Sequence, residues 1–228
     1  MRFHVTALLA ILPVVLAGHR AQADQKCKTV ELFNGKCLEG WQAFLVDPDV
    51  KMEDVWSVKD GLLICRGEPL GYLYTKKAYT NFALTLQWRW AAGQEPGNSG
   101  VLLRIAGDAV SFLPRCVEAQ LKSGSAGDLW GFYGAKLKGA PDRMKVVKDH
   151  KTLGNFMGVT RIKDAENESG RWNTYKITFD QGNLTVVING QKVNEATECD
   201  IAAGCIGLQS EGGEIHFRNI RLIELPCR

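Results

Sequence analysis

Across residues 98–128, NSGVLLRIAGDAVSFLPRCVEAQLKSGSAGD, side chains able to do chemistry recur at a spacing of two. In CVEAQLK, Glu118, Gln120 and Lys122 alternate with Val117, Ala119 and Leu121. Residues two apart share one face of a strand, so these three polar groups stand in a row. In VLLRI, Val101, Leu103 and Ile105 alternate with Leu102 and Arg104. If the two runs pair, Arg104 joins the same row. A carboxylate, an amide and two cations on one sheet face suit a small ligand rich in hydroxyl groups.

Such a row needs a rigid sheet, and the rest of the sequence supplies strands. NFALTLQWRW places Phe82, Leu84, Leu86, Trp88 and Trp90 on one face, with Asn81, Thr85, Gln87 and Arg89 among the polar positions. WNTYKITF and LTVVI are separated by Asp180-Gln181-Gly182-Asn183, a turn signal. LTVVI then meets Asn189-Gly190, the dipeptide most diagnostic of a two-residue hairpin. Asp60-Gly61 marks another hairpin, and CIGLQSE and EIHFRNIRLIEL follow around Gly212-Gly213. Helical periodicity is absent over any useful length. Short strands with turn chemistry between them predict an all-β sandwich or barrel. Residues 129–163 are less regular and read as a long covering or functional loop. Trp88 and Trp90 share the parity of Phe82 and belong inside. Trp130, in a glycine-rich stretch with Phe132 and Tyr133, is the tryptophan placed to line a sugar cleft.

The 228 residues also bound the class of protein. Arg2, an apolar run over residues 5–17 and Ala21-Gln22-Ala23 form the pattern of a secretory signal peptide, residues 1–23. Residues 24–228 then form one domain, secreted or periplasmic. The apolar run is interrupted by Pro13 and too short for a comfortable membrane span. Without Arg2 and Arg20, 26 basic residues face 25 acidic ones, and the lysines of residues 136–151 are interrupted by Asp142 and Asp149. This argues against a nucleic-acid or lipid partner, since nucleic-acid binding calls for a basic stripe. The seven cysteines (Cys27, Cys37, Cys65, Cys116, Cys199, Cys205 and Cys227) permit disulfides in an oxidising compartment. Cys199 with Cys205, and Cys27 with Cys37 or Cys227, are the pairings considered, and the odd count leaves at least one thiol unpaired or intermolecular. No C-x-x-C occurs, and only His150 and His216 lie beyond the leader, which argues against a zinc or redox site.

Six segments in order, LFNGKCLEGW, WSVKDGLLIC, NSGVLLR, VEAQL, GRWNTYKI and GLQSEGGEIHFRNIRLIEL, resemble the 3-keto-disaccharide hydrolase domain family over almost all of the chain beyond the leader. The resemblance implies a jelly-roll β-sandwich of the concanavalin-A-like lectin/glucanase type. It also implies cleavage of glycosides already oxidised to a ketone at C3. That ketone acidifies the C2 hydrogen, so a base can start elimination of the C1–O bond, and water can add afterwards. In these terms Glu118 is the candidate base or acid–base residue and Arg104 the cation for the C3 oxygen. Asp128 is a possible second carboxylate. Asn98, Gln120, Lys122, Trp130 and Gln209 are candidates to hold the sugar. Sandwiches of this type often hold a calcium ion, but no ligand cluster here demands one, and no cofactor is implied.

Each residue has a plainer reading. Glu118, Gln120 and Lys122 also fit the solvent face of an antiparallel strand. Arg104 also fits an ion pair elsewhere, and Asn98 and Asp128 fit turns. His216 reads as packed or exposed. The alternative function is a non-catalytic carbohydrate-binding module, because one sandwich hosts both.

Overall fold

Alternation of apolar and polar side chains builds two antiparallel sheets, in a computed structural model that describes residues 28–226. The first strands are β1 (Lys28–Glu31), β2 (Trp41–Leu45), β3 (Trp56–Lys59), β4 (Leu62–Cys65), β5 (Gly71–Thr75), β6 (Phe82–Trp90), β7 (Gly100–Ala109) and β8 (Pro114–Gln120). They are followed by β9 (Leu129–Phe132), β10 (Met144–His150), β11 (Gly154–Val159), β12 (Asn173–Asp180), β13 (Asn183–Ile188), β14 (Gln191–Ala196), β15 (Cys205–Ser210) and β16 (Ile215–Glu224). One sheet runs β14-β13-β12-β6-β16-β4-β3, with β1 also paired to β16. The other runs β10-β11-β9-β8-β7-β15-β5-β2. The single α-helical element among the described residues is one turn, Met52–Val55.

Between the sheets lies one large apolar core. β6 contributes Phe82, Leu84, Leu86, Trp88 and Trp90 in strict alternation, and β8 contributes Val117 and Ala119 from the facing sheet. Each large side chain so buried is worth about 1.5–3 kcal/mol. The Asp60-Gly61, Gln181-Gly182 and Asn189-Gly190 pairs each close a two-residue hairpin with both residues at positive φ. The jelly-roll sandwich expected from the sequence is the fold.

A second, smaller apolar cluster covers the outer face of the β8 sheet. It joins Tyr72, Leu102, Cys116 and Phe132 to Phe112 and Leu113 from the β7–β8 turn and Leu153 from the β10–β11 turn. Residues 129–163 correct the sequence reading. They form β9, β10 and β11, which widen the sheet into a wall beside β8.

The cysteine pairing is corrected as well. Cys199 and Cys205 carry free thiols, as do Cys37, Cys65 and Cys116. Cys27, Cys227 and the leader at residues 1–23 lie outside the described residues. Among the described residues no helix is long and apolar enough to cross a membrane.

Candidate active site

β7 and β8 pair antiparallel, with Leu102 opposite Glu118 and Gly100 opposite Gln120. The outward parity of β8 raises Glu118 and Gln120 from the sheet, as the spacing predicts. Neither is solvated: Glu118 is 2% exposed and Gln120 8%. The plain solvent-face reading therefore fails for these two, while Lys122 is exposed as that reading has it. The Glu118 side chain crosses towards β7, where Gly100 leaves room for it; a Cβ at position 100 would overlap the Glu118 carboxylate.

Above this face lies a cleft of about 430 Å³, within the usual range for ligand sites. Seven of the eight candidates from the sequence line it: Asn98, Glu118, Gln120, Lys122, Asp128, Trp130 and Gln209. Arg104 does not. It sits at a bulge where the β7–β8 register shifts between Leu103 and Ala106, and its φ is +55°. The bulge reverses parity, so Ile105 joins the outer cluster. Arg104 points the other way, its guanidinium 4.0 Å from the Phe179 ring centroid and bonded to the carbonyls of Thr80 and Ala202. Arg104 thus braces the core edge and cannot face a sugar beside Glu118.

The cleft also contains a group the sequence reading did not single out, Glu211. It follows β15 directly, two residues beyond Gln209 in the segment GLQSEGG that carries the family resemblance, so strand parity from Gln209 is the signal that points to it. Burial pushes the Glu211 carboxyl up to about 6, against the pull of the Asn98 and Gln209 amides and the Lys122 charge. Burial, aided by the Glu211 charge, pushes Glu118 well above the ordinary carboxylate range. Both carboxyls are thus held above the ordinary carboxylate range, and Glu118 is the more deeply buried.

Polar atoms around them await partners. Glu118 Oε1, Asn98 Oδ1 and both side-chain atoms of Gln209 are buried without a well-formed hydrogen bond. Four such atoms gathered around one cleft mark a place for ligand groups, because an unpaired buried polar atom costs about 1–3 kcal/mol. Gln120 Oε1 accepts from the Leu121 and Lys122 N–H groups, leaving its amide nitrogen as the available donor. Asp128 is more committed: its Oδ1 accepts the Arg161 N–H at 2.7 Å and sits 3.7 Å from the Arg161 guanidinium. Burial outweighs those partners and raises its carboxyl above the usual value.

The far end of the cleft is mostly apolar, with His150 packed edge-on to Phe156 at 5.8 Å. Trp130, half-buried, meets Phe156 edge-on at 5.6 Å, and Phe132 lies 5.1 Å from the same ring. Gly158, opposite Trp130 on β11, permits this packing, since a Cβ there would strike the indole. His216 lies on the other sheet, bonded to Glu214. Among the described residues no group of three or more His, Cys, Asp or Glu is arranged to hold a metal ion.

Amides, carboxyls and aromatic rings thus share one cleft on one sheet of a jelly-roll sandwich. The solved structures it is similar to carry the same fold. One is a Parabacteroides distasonis protein provisionally described as a glycosyl hydrolase, 23% identical over 87% of this chain and 94% of that one, with a TM-score of 0.62. Another is the Bacillus licheniformis β-glucanase, 13% identical, covering 88% of this chain and 98% of that chain at a TM-score of 0.56. The carbohydrate-binding module CBM66 from Bacillus subtilis matches at 12% identity, with 80% and 94% covered and a TM-score of 0.55. A comparison with curated proteins gives no significant match. The profile of the 3-keto-alpha-glucoside-1,2-lyase-like domain matches residues 28–223, and the chain belongs to that family.

Proposed function

We propose that the protein is a carbohydrate-active enzyme that cleaves the glycosidic bond of 3-keto-glycosides, with Glu118 and Glu211 moving the protons. The observation that carries this reading is a pair of carboxyls, both raised by burial, lining one cleft together with the Asn98, Gln120 and Gln209 amides. Two titratable groups pushed apart by their surroundings divide acid and base roles between them. In this reading Glu211, whose carboxyl gives up its proton near 6, is the base, and Glu118, the more deeply buried of the two, is the acid. Glu211 then accepts the C2 proton, and the electron pair left behind delocalises onto the C3 oxygen. The Gln209 amide, fully buried beside Glu211, is the donor for that oxygen in place of Arg104. As the C3 carbonyl re-forms, a C1–C2 double bond is made and the C1–O bond breaks. The departing oxygen takes the Glu118 proton. Water can then add its oxygen at C1 and a proton at C2, giving net hydrolysis.

A second reading follows from the same pair, because conventional glycosidases also use two carboxyl groups. Incubating the purified protein with a 3-keto-disaccharide and with its unoxidised parent separates the two. Release of sugar from the keto form alone supports elimination, and cleavage of the parent means a conventional glycosidase. Binding of both sugars with turnover of neither identifies a binding module instead. The reading includes export, resting on the N-terminal pattern of residues 1–23. An exported product beginning at Asp24 is the expected result of N-terminal sequencing.

A further inference from the structure

The cleft is divided along the strands. At one end stand Asn98, Gln120, Lys122, Gln209 and Glu211; at the other stand Phe112, Leu113, Phe132, Leu153 and Phe156, with the His150 ring edge-on to Phe156 and its Nδ1 taken up by the Thr152 and Leu153 N–H groups. Strand register orders them: Gln120 is opposite Gly100, Glu118 is opposite both Leu102 and Trp130, and Cys116 is opposite Phe132. Going along β8, polar company gives way to aromatic company at Glu118. A pyranose carries hydroxyls around its rim, and burying them against phenyl and leucyl side chains leaves them unpaired. The five apolar residues offer no side-chain hydrogen bond. They offer instead ring faces and edges, with Phe156 packed 5.1 Å from Phe132.

We propose that the polar end holds the oxidised sugar and the aromatic end holds an apolar, ring-bearing aglycone, so that the preferred substrates are 3-keto-glycosides of aromatic alcohols or phenols rather than disaccharides. This rests on the reading of the reaction given above, and it places the scissile oxygen at the boundary, beside Glu118.

The test compares benzyl 3-keto-glucoside with a 3-keto-disaccharide of the same anomeric configuration, for each anomer in turn. Benzyl alcohol and a primary sugar hydroxyl are leaving groups of similar acidity, so the comparison reports binding of the aglycone. The benzyl compound is expected to show a kcat/KM at least about tenfold higher, the scale of apolar pocket discrimination. Phe156→Ala is expected to shrink that preference by about tenfold. Equal or reversed preference, or an equal loss on both substrates, overturns the proposal. If Phe156→Ala does not fold, the wild-type ratio decides. If neither substrate is cleaved, the reaction assignment fails, and calorimetric titration with unoxidised benzyl glucoside and the unoxidised disaccharide still reads the cleft. Tighter binding of the benzyl compound supports the aglycone site, and equal or absent binding of the two overturns it.

Discussion

Glu118 and Glu211 set the chemistry through the difference in their protonation. Activity that needs ionised Glu211 and protonated Glu118 follows a bell-shaped pH profile, with the acidic limb near 6 and the alkaline limb set by Glu118. Measured kcat/KM against pH is expected to show both limbs in the wild type. In Glu118→Gln the alkaline limb disappears and the acidic limb stays. Stability carries the same signature. The folded state holds the Glu118 proton that the unfolded chain releases in the ordinary carboxylate range. The favourable contribution is therefore complete at low pH and is lost as pH rises through the folded value. Glu118→Gln removes that loss, so its Tm relative to wild type is expected to rise with pH. Thermal scans at a series of pH values check this, and a constant difference contradicts it. Parity in CVEAQLK was enough to find Glu118 and Gln120. Arg104 was misplaced because a bulge with φ at +55° reverses parity without any glycine or proline to announce it. Glu211 was overlooked because it lies just past a strand end, against Gly212-Gly213.

Strands β7 and β8 act as one device, in which a missing side chain on one makes room for the acid on the other. Gly100→Ala would drive its methyl group into the Glu118 carboxylate. Since misplacing a reacting group by about 1 Å can cost a hundredfold, the variant is expected to lose roughly that much activity while keeping its circular dichroism spectrum. Retained activity would show that Glu118 need not occupy its position over Gly100. Strands such as β6 were legible because their burial alternates without interruption. The β9–β11 wall was not, because β10 is largely exposed and carries Lys145, Lys148 and Asp149. A strand at a sheet edge needs no buried face along its length, and charged residues there discourage further pairing. Its aromatic residues, Trp130 and Phe156, come together only through β-pairing across residues 129–159.

The whole molecule separates a core that holds the fold from a cleft face that holds the ligand. Trp88, fully buried between the sheets against Tyr175, is expected to cost about 3–5 kcal/mol when replaced by Ala. Trp130→Ala, at the half-buried cleft wall, should cost much less stability and more affinity for glycosides. Denaturant unfolding and ligand titration of the two variants test that division. Non-reducing peptide mapping should find Cys199 and Cys205 unlinked, as their free thiols require. The sandwich could be read from the turn dipeptides and the parity of β6, whereas thiol pairing depends on three-dimensional separations that spacing along the chain does not encode. The most direct measurement is the rate at which wild type and Glu118→Gln release sugar from a 3-keto-disaccharide labelled with deuterium at C2. The account predicts loss of the label, and a rate for Glu118→Gln lower by roughly a hundred- to ten-thousand-fold. Release with the C2 label retained, or an undiminished rate in the variant, would contradict elimination driven from this cleft.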